Sequence, residues 1–280
     1  MREHTHPMEP QDLDLTGGRV HFWKGGNGPG LLLLHAAWGD AEMSWSRVWD
    51  PLSHTFTVIA PDLPGFGQSA GLARPSLSAM ATTLKQLLDS LHMDRVMVVG
   101  NSFGAGVAIQ LANEHPKATA QVVIVNGGYM PVIPEIIRKL ISLPVLNAGF
   151  RSLIRKLTYS ASALNRSFVD PSKLPPRFFE NIQLHALAYS RISFDTIMNM
   201  AEPLAMPAVP VLLLWGAQDG LATLKQAQAI QKTMPGAELI TIEGAGHMPQ
   251  MERPDEFIAV IKNVRNNWRD GCGSCYERRI

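Results

Sequence analysis

Short runs of apolar residues recur along the chain, each flanked by glycine, proline or polar residues that favour turns. Runs of about four or five such residues are shorter than an ordinary helix and predict buried strands. Two short strands around the Gly17-Gly18 turn predict an opening hairpin. The strands are expected near residues 13–15, 20–23, 31–34, 57–60, 96–99, 122–125, 211–214 and 238–242.

Helical patterns separate most of these strands. Ser76 is a suitable N-cap for a helix that continues to about Leu91, with apolar residues three and four positions apart. A second helix follows strand 96–99 and extends to about His115, before Pro116. Further helices are expected at about 222–234 and 255–268. Strands that alternate with helices in this way predict an α/β fold with a doubly wound, mostly parallel sheet.

The alternation stops in the middle of the chain. Residues 130–206 have the pattern of short helices interrupted by prolines, which predicts a helical cap inserted into a core of residues 1–129 and 207–270. The last residues, 271–280, are expected to form a flexible tail. They contain Cys272 and Cys275, and this single C-x-x-C lacks the second ligand pair that a metal site would need.

Composition and charge narrow the function classes. The formal net charge of +1 gives no electrostatic case for binding nucleic acid or an anionic membrane. No apolar run approaches the roughly 20 residues of a membrane helix. The first fifteen residues lack the apolar segment of a secretory signal, so a cytoplasmic location is expected. No cluster of histidine, cysteine and aspartate has metal-ligand spacing, and no metal or other cofactor is expected.

The segment Gly100-Asn101-Ser102-Phe103-Gly104 carries the pattern Gly-x-Ser-x-Gly between a predicted strand and a predicted helix. A nucleophile elbow needs this context, because a strained turn lifts the serine hydroxyl above the sheet and small neighbours leave room for it. A simple glycine turn is the alternative interpretation. The placement between strand and helix favours Ser102 as a catalytic nucleophile.

A serine hydroxyl needs a base to take its proton and an acid to orient that base. Asp219 and His247 each lie in the loop after an apolar strand, where catalytic groups gather in open parallel sheets. An Asx turn at Asp219 and a polar loop residue at His247 are the alternatives. The order Ser102, Asp219, His247 along the chain favours a catalytic triad.

Three further motifs make the chain resemble the α/β-hydrolase family. His35-Ala36-Ala37-Trp38-Gly39 is similar to the family's His-Gly-x-x-Gly loop, and residues 62–69 are similar to its Asp-x-x-Gly-x-Gly-x-Ser turn. His247-Met248-Pro249 with Glu252-Arg253-Pro254 matches its terminal block. The resemblance covers nearly all of the chain outside the insertion and the two ends. It implies the α/β-hydrolase fold, with Ser102 as nucleophile.

An oxyanion hole requires two N–H donors. Phe103, which follows the nucleophile at the start of a helix, is expected to supply one. The resemblance places the other in the 35–39 loop, at Ala36 or at Ala37. Ala36 stands where the family usually has glycine, and alanine is costlier at positive φ, so a strained or differently bent loop is expected. His35, Ala37 and Trp38 are predicted to contact the substrate.

The favoured function is hydrolysis of small carboxylic esters or lactones through an acyl-enzyme. Ser102 excludes the haloalkane and epoxide chemistry of this fold, which needs an aspartate nucleophile. Hydrolysis of carbon–carbon bonds in ring-cleavage products is an alternative, since residues 100–104 look like the elbow of those enzymes. A small-molecule receptor or a cofactor-free oxygenase or cyclase is another.

The predicted cap is apolar and aromatic, and most of its aromatic residues are expected to pack the cap itself, while a minority would face the substrate. Arg191 could bind a carboxylate, although a solvated arginine is the commoner case. His185 could line a pocket in the same way. The aromatic residues concerned are Phe150, Tyr159, Phe168, Phe178, Phe179, Tyr189 and Phe194.

Overall fold

The structure is a computed structural model that describes residues 7–128, 132–200, 202–234 and 236–269. Its centre is an eight-stranded sheet in the order β1-β2-β4-β3-β5-β6-β7-β8. The first two strands form the predicted hairpin, β2 pairs antiparallel with β4, and all other pairs are parallel. The strands are β1 Glu9–Leu15, β2 Gly18–Gly25, β3 Gly30–Leu34, β4 Thr57–Pro61, β5 Val96–Asn101, β6 Thr119–Val125, β7 Val211–Gly216 and β8 Glu238–Ile242.

The central strands are buried on both faces, which explains why they contain continuous apolar runs instead of an alternating pattern. Leu32 and Leu34 of β3 pack into the core on one side of the sheet. Leu31 and Leu33 pack into a second core on the other side. Since successive side chains of a strand point to opposite faces, a run of four leucines supplies both cores at once.

Helices cover the two faces of the sheet. Ser76 caps α3 as predicted, because its hydroxyl accepts a hydrogen bond from the Ala79 N–H at 3.1 Å. Three helices of one turn or little more, α1, α2 and α10, were not predicted. The helices outside the insertion are α1 Ala41–Trp45, α2 Trp49–Ser53, α3 Leu77–Ser90, α4 Phe103–Glu114, α9 Leu224–Thr233, α10 Pro249–Glu252 and α11 Pro254–Arg269.

In the described residues between β6 and β7 there are four helices and one 3₁₀ turn. Proline begins two of these elements: Pro144 is the first residue of α6 and Pro171 the first of the 3₁₀ turn, Pro171–Lys173. The helices, called the inserted helices below, are α5 Glu135–Ile141, α6 Pro144–Tyr159, α7 Ala161–Ser167 and α8 Phe178–Met198.

The inserted helices contact loops at the carboxyl ends of the strands. The Tyr159 hydroxyl donates to the Ala37 carbonyl oxygen at 2.6 Å, and the His247 N–H donates to the Ser167 carbonyl oxygen at 2.7 Å. The Tyr189 hydroxyl accepts from the Gly67 N–H at 3.1 Å. These contacts place the inserted helices beside the loops that carry the predicted catalytic residues.

The sequence also predicted a flexible tail and no membrane-spanning helix. The tail 271–280, with Cys272 and Cys275, lies outside the described residues. Of the helices in the described ranges, none combines the length and apolar character needed to cross a bilayer.

Candidate active site

Ser102 lies at the junction of β5 and α4, in a strained backbone conformation. Its φ of 53° and ψ of −109° are unusual for a residue other than glycine. The Ser102 N–H donates to the Val125 carbonyl oxygen at 2.9 Å, which fixes the turn against β6. Ser102 is partly exposed, whereas Asn101 and Phe103 on either side are buried. The sharp turn therefore leaves Ser102 partly exposed at the carboxyl end of β5.

The two flanking glycines are required because backbone atoms pass too close for a side chain. A Cβ on Gly100 would lie 2.4 Å from the Gly104 carbonyl oxygen. A Cβ on Gly104 would lie 2.3 Å from the Leu34 carbonyl oxygen. The same close approach packs the start of α4 against the end of β3. It brings the Phe103 N–H and the 35–39 loop into one region.

Asp219 and His247 are in direct contact. The Nδ1 atom of His247 is 2.7 Å from Oδ2 of Asp219, and both side chains are buried. The other carboxylate oxygen, Oδ1, accepts from the Leu221 N–H at 2.7 Å and the Ala222 N–H at 3.1 Å. An ionised carboxylate has no hydrogen to donate, so Nδ1 of His247 is the donor in this hydrogen bond. The Nε2 atom of a neutral ring is then left as the acceptor.

Asn126 is a part of this arrangement that the sequence interpretation missed. Its Nδ2 donates to Oδ2 of Asp219 at 2.6 Å, and its Oδ1 accepts from the Gly216 N–H at 2.9 Å. Its φ of 45° is positive, a conformation that asparagine tolerates better than most residues. Asn126 directly follows β6, next to β7, and its position beside the Asp219 strand was the one signal available.

A second polar chain joins the serine turn to the histidine loop. Asn101, which precedes Ser102, donates from Nδ2 to the carbonyl oxygens of Val125 and His247, both at 3.1 Å. Its Oδ1 accepts from Nε2 of Gln250 at 3.1 Å. All these side chains are buried. The backbone of His247 is thus tied to the residue before the nucleophile.

Glu252 secures the histidine loop from the other side. Its carboxylate accepts from the Gly246 N–H and from the Val169 N–H, both at 2.7 Å. Burial raises the pKa of this carboxyl group. The contact with Val169, which follows α7, ties the loop to the inserted helices.

His35 does not have the predicted substrate-binding role. Its ring is fully buried, Nδ1 lies 2.7 Å from the Ala36 carbonyl oxygen, and Nε2 accepts from the Leu63 N–H at 2.9 Å. Both ring nitrogens are therefore occupied by backbone groups, in the neutral tautomer that carries its proton on Nδ1. Burial lowers the pKa of this histidine, although the nearby Asp62 carboxylate opposes the shift. His35 braces the 35–39 loop against the 62–69 turn.

Of the two outcomes expected at Ala36, a strained loop or a differently bent one, the strain of a positive φ does not occur. Among the described residues other than glycine, positive φ angles occur at His92, Ser102, Asn126 and Arg177, so Ala36 keeps an ordinary backbone. An alanine therefore fits this position of the loop without the conformational cost that a positive φ would impose. Ala36 is buried, whereas the next residue, Ala37, is partly exposed.

A chain of aromatic contacts leads from His247 to the inserted helices. The Trp38 ring centroid is 4.8 Å from that of His247 and 5.7 Å from that of Phe168. Phe168 in turn contacts Phe178 and Phe179. Trp38 thus packs directly against His247, and Phe168 of the insertion packs against Trp38.

The remaining predicted residues belong to the inserted segment. Arg191 and His185 are exposed on α8. Tyr159, Phe178, Tyr189 and Phe194 are buried, as expected for residues that pack the insertion. Within the described ranges, no group of three or more His, Cys, Asp or Glu side chains could hold a metal ion.

Comparison with known proteins gives the family context. The alpha/beta hydrolase family model matches residues 31–260. An uncharacterized protein of Mycobacterium tuberculosis is 30% identical over 276 residues, covering 91% of this chain and 81% of the relative. Lipase 1 of Psychrobacter immobilis is 28% identical over 272 residues, covering 92% of this chain and 84% of the lipase.

A carbon–carbon bond hydrolase is also among the relatives. The 2-hydroxy-6-oxo-6-phenylhexa-2,4-dienoate hydrolase of Burkholderia cepacia is 25% identical over 262 residues, covering 87% of this chain and 90% of that enzyme. Of solved structures, a lipase-like protein of Acinetobacter baumannii superposes with a TM-score of 0.75 at 19% identity, covering 95% of this chain and 93% of that one. This structural likeness supports the fold and no particular activity.

Proposed function

Because the chain belongs to the alpha/beta hydrolase family, we propose that it hydrolyses carboxylic esters or lactones with a serine nucleophile. Ser102 is the nucleophile, His247 the general base, and Asp219 the acid that orients it. The substrates are small molecules with apolar or aryl groups. The runner-up is hydrolysis of a carbon–carbon bond with the same three residues.

The hydrogen bond between Asp219 and His247 carries the proposal. A loop aspartate that only formed a turn would use its oxygens on nearby N–H groups, as Oδ1 does with Leu221 and Ala222. Oδ2 instead accepts a hydrogen bond from Nδ1 of His247, which lies in the loop after the next strand, β8. Holding an imidazole by Nδ1 prepares Nε2 to accept a proton, which is what a serine nucleophile requires.

The reaction then follows from these positions. The Ser102 hydroxyl oxygen attacks the ester carbonyl carbon while Nε2 of His247 takes its proton. The tetrahedral intermediate collapses as His247 returns that proton to the leaving alcohol, which leaves Ser102 acylated. Water, deprotonated by His247, attacks the acyl group, and the acid leaves as Ser102 regains its proton. Asp219 stabilises the imidazolium in both halves and remains ionised.

The oxyanion donors in this scheme are the N–H groups of Phe103 and Ala37. In a trans peptide the carbonyl oxygen and the following N–H point in opposite directions. The Ala36 carbonyl oxygen is held by the ring of His35. The Ala37 N–H therefore points away from His35, at the partly exposed position of the loop. This geometry favours Ala37 over Ala36 as the second donor.

The substrate class is inferred from the surroundings of His247. The Trp38 ring packs against the imidazole, and Phe168 packs against the Trp38 ring. Arg191, the cation suggested for binding a carboxylate, is exposed on α8. An apolar acyl or aryl group suits such walls better than an acidic ring-fission product does.

Active-site labelling tests the nucleophile. A serine-directed phosphonate should modify Ser102 alone, as read by mass spectrometry of peptides. Ser102→Ala should keep the fold, abolish labelling and lower turnover of p-nitrophenyl butyrate by about 10⁶-fold, because the catalytic residues act as a unit. Retained activity in this variant would refute the proposal. Turnover of the ester also separates an enzyme from a receptor.

Substrate comparison tests the reaction class. Carbon–carbon hydrolysis must first move a proton onto carbon, which demands polar groups that grip the substrate's carboxylate and oxygens. We expect kcat/KM for p-nitrophenyl butyrate to exceed that for a vinylogous ring-fission acid by about a hundredfold or more, close to 3 kcal/mol in transition-state binding. The opposite preference would assign the protein to carbon–carbon hydrolysis.

A further inference from the structure

The main chain at the end of α7 lies directly against the His247 loop. The His247 N–H donates to the Ser167 carbonyl oxygen at 2.7 Å. A Cβ on Gly246, the residue before His247, would collide with the same oxygen. The two stretches of main chain approach so closely only because residue 246 has no side chain. The inserted helices therefore contact the proposed base through its own backbone.

The same stretch also lies against the Asp219 loop. A Cβ on Gly220, the residue after Asp219, would collide with the Arg166 carbonyl oxygen. Residues 166–169, called the 166–169 segment below, thus pass beside the loops of both Asp219 and His247. One short piece of the insertion therefore lies across the two loops whose side chains form the Asp219–His247 hydrogen bond.

Glu252 fastens this segment to the His247 loop. Its Oε1 accepts from the Val169 N–H and its Oε2 from the Gly246 N–H, both at 2.7 Å. The residue is buried, with 6% of its surface exposed. One N–H on each oxygen suits an ionised carboxylate, whose hydrogen bonds are stronger than those of a neutral acceptor. A single buried charge thus bridges the segment and the residue before His247.

Stability alone does not account for a carboxylate in this place. Taking a charge out of water is costly, and its hydrogen bonds seldom more than offset that cost. The His247 loop does need external contacts, because Gly244 and Gly246 restrict its backbone very little. A bridge at residue 246 restrains the loop one residue before the ring that must meet Asp219 and Ser102.

We propose that Glu252 is a positioning residue for the reaction at Ser102. By joining the 166–169 segment to the His247 loop, its carboxylate holds the imidazole in contact with Asp219 and within reach of the serine hydroxyl. Glu252 itself takes no part in bond making or proton transfer. A displacement of about 1 Å in a catalytic group can cost about a hundredfold in rate. The inference rests on the proposed function, because it requires that His247 acts as the base.

Glu252→Gln tests the carboxylate. Either orientation of the new amide turns its NH₂ group toward an N–H donor, so one hydrogen bond and the charge are lost. We expect kcat for p-nitrophenyl butyrate to fall at least about tenfold with KM nearly unchanged, because His247 acts in both halves of the reaction. Glu243→Gln is the matched control. It removes the same charge from an exposed side chain that follows β8 and accepts from Gln218, and it should leave kcat unchanged.

Val169→Pro tests the other end of the bridge without altering Glu252. Proline lacks the N–H that donates to Oε1. Phe168, which would precede the proline, has a φ of −124° and a ψ of 142°, the extended conformation that this position favours. The Val169 side chain is 47% exposed, so little packing is lost. We expect kcat to fall about tenfold, whereas Val169→Ala, which keeps the N–H, should match the wild type.

The proton between His247 and Asp219 gives a readout that a purely structural role of Glu252 would not change. Its hydrogen bond is short and buried, so the Nδ1 proton should have a strongly deshielded NMR resonance. Glu252→Gln and Val169→Pro should shift or broaden this resonance, and both control variants should retain it. Lower thermal stability with an unchanged resonance and normal kcat in these two variants would overturn the proposal.

The NMR measurement needs no substrate, so it separates this inference from the proposed function. If the wild-type protein hydrolysed no ester and a phosphonate did not label Ser102, the proposed function would fail. The resonance would still decide whether Glu252 holds His247 against Asp219. Conversely, full ester turnover in Glu252→Gln would overturn the positioning role and leave the assignment of Ser102 intact.

Discussion

The carboxyl end of the sheet and the inserted helices differ in how they treat polar and apolar groups. At the sheet end, buried polar side chains such as Asn101, Asn126 and Asp219 are joined by hydrogen bonds across three strands. On the inserted helices, leucines such as Leu157 and Leu184 remain 60% and 75% exposed. The sheet end holds its polar side chains in fixed positions, whereas the inserted helices expose apolar side chains to the solvent.

From this difference we expect the sheet end to determine the reaction rate and the inserted helices to have a smaller effect on it. A buried hydrogen-bonded network permits only small movements of the groups that it holds, which suits the steps proposed at Ser102 and His247. Exposed apolar residues on helices contribute little to fixing that geometry. Substitutions at the sheet end should therefore act on kcat or stability. Substitutions on the inserted helices should act on catalysis only where a side chain contacts a catalytic loop.

After Ser102→Ala, the largest effect is expected for Asp219→Asn. Oδ1 accepts two backbone N–H bonds, so the new amide would face the donors of Asn126 and His247. Donor would then meet donor, and the imidazole would lose both its tautomer and its charge partner. Turnover of p-nitrophenyl butyrate should fall by about 10⁴-fold. Thermal unfolding provides the control, since a residue that only shaped a turn would change stability and leave kcat intact.

A smaller effect, on stability, is expected for His35→Phe. The aromatic ring is kept, but the Leu63 N–H and the Ala36 carbonyl oxygen lose their buried partner. The free energy of unfolding should fall by about 3 kcal/mol, a cost in the range for two unsatisfied buried groups. Chemical denaturation at pH 7.5, where His35 is neutral in either state, measures it.

The pH dependence of stability identifies the cause of this loss. Burial holds the folded pKa of His35 below its ordinary value of 6.5. As the pH falls through that value, the unfolded chain binds a proton that folded His35 does not, so this residue lowers stability in acid by up to about 1.4 kcal/mol per pH unit. His35→Phe should lack this part of the slope. Parallel pH profiles for the two proteins would contradict a buried neutral His35.

The contrast between the two regions also explains what the sequence could predict. Strands such as β3 and β5 were predictable because continuous apolar runs follow from burial on both faces. Ser102 and Asp219 could be named as candidates because each follows such a strand, and His247 because it follows the shorter edge strand β8. The helices α1, α2 and α10 span one turn or little more and carry no periodic signal.

Long-range contacts account for the rest. Asn126 has its role only because β6 lies beside β7, and His35 turns inward because the 62–69 turn supplies a donor from Leu63. On the inserted helices, an apolar residue at helical spacing predicts burial, yet Leu153 and Leu157 face outward. Periodicity identifies a side of a helix and does not state what covers it.

The smallest effect is expected for Tyr159→Phe, which tests the hydrogen bond between α6 and the 35–39 loop. The buried Tyr159 hydroxyl donates to the Ala37 carbonyl oxygen at 2.6 Å, and its loss would free the peptide that follows the proposed Ala37 donor. We expect kcat for p-nitrophenyl butyrate to fall about tenfold, close to 1.4 kcal/mol, with KM nearly unchanged. Tyr189→Phe is the matched control, since its hydroxyl bonds the Gly67 N–H in a turn outside that loop. Both variants should lose similar stability, and only Tyr159→Phe should lose rate. Equal kcat in the two variants would show that α6 does not position the 35–39 loop. The inserted helices would then have no part in the reaction rate through this contact.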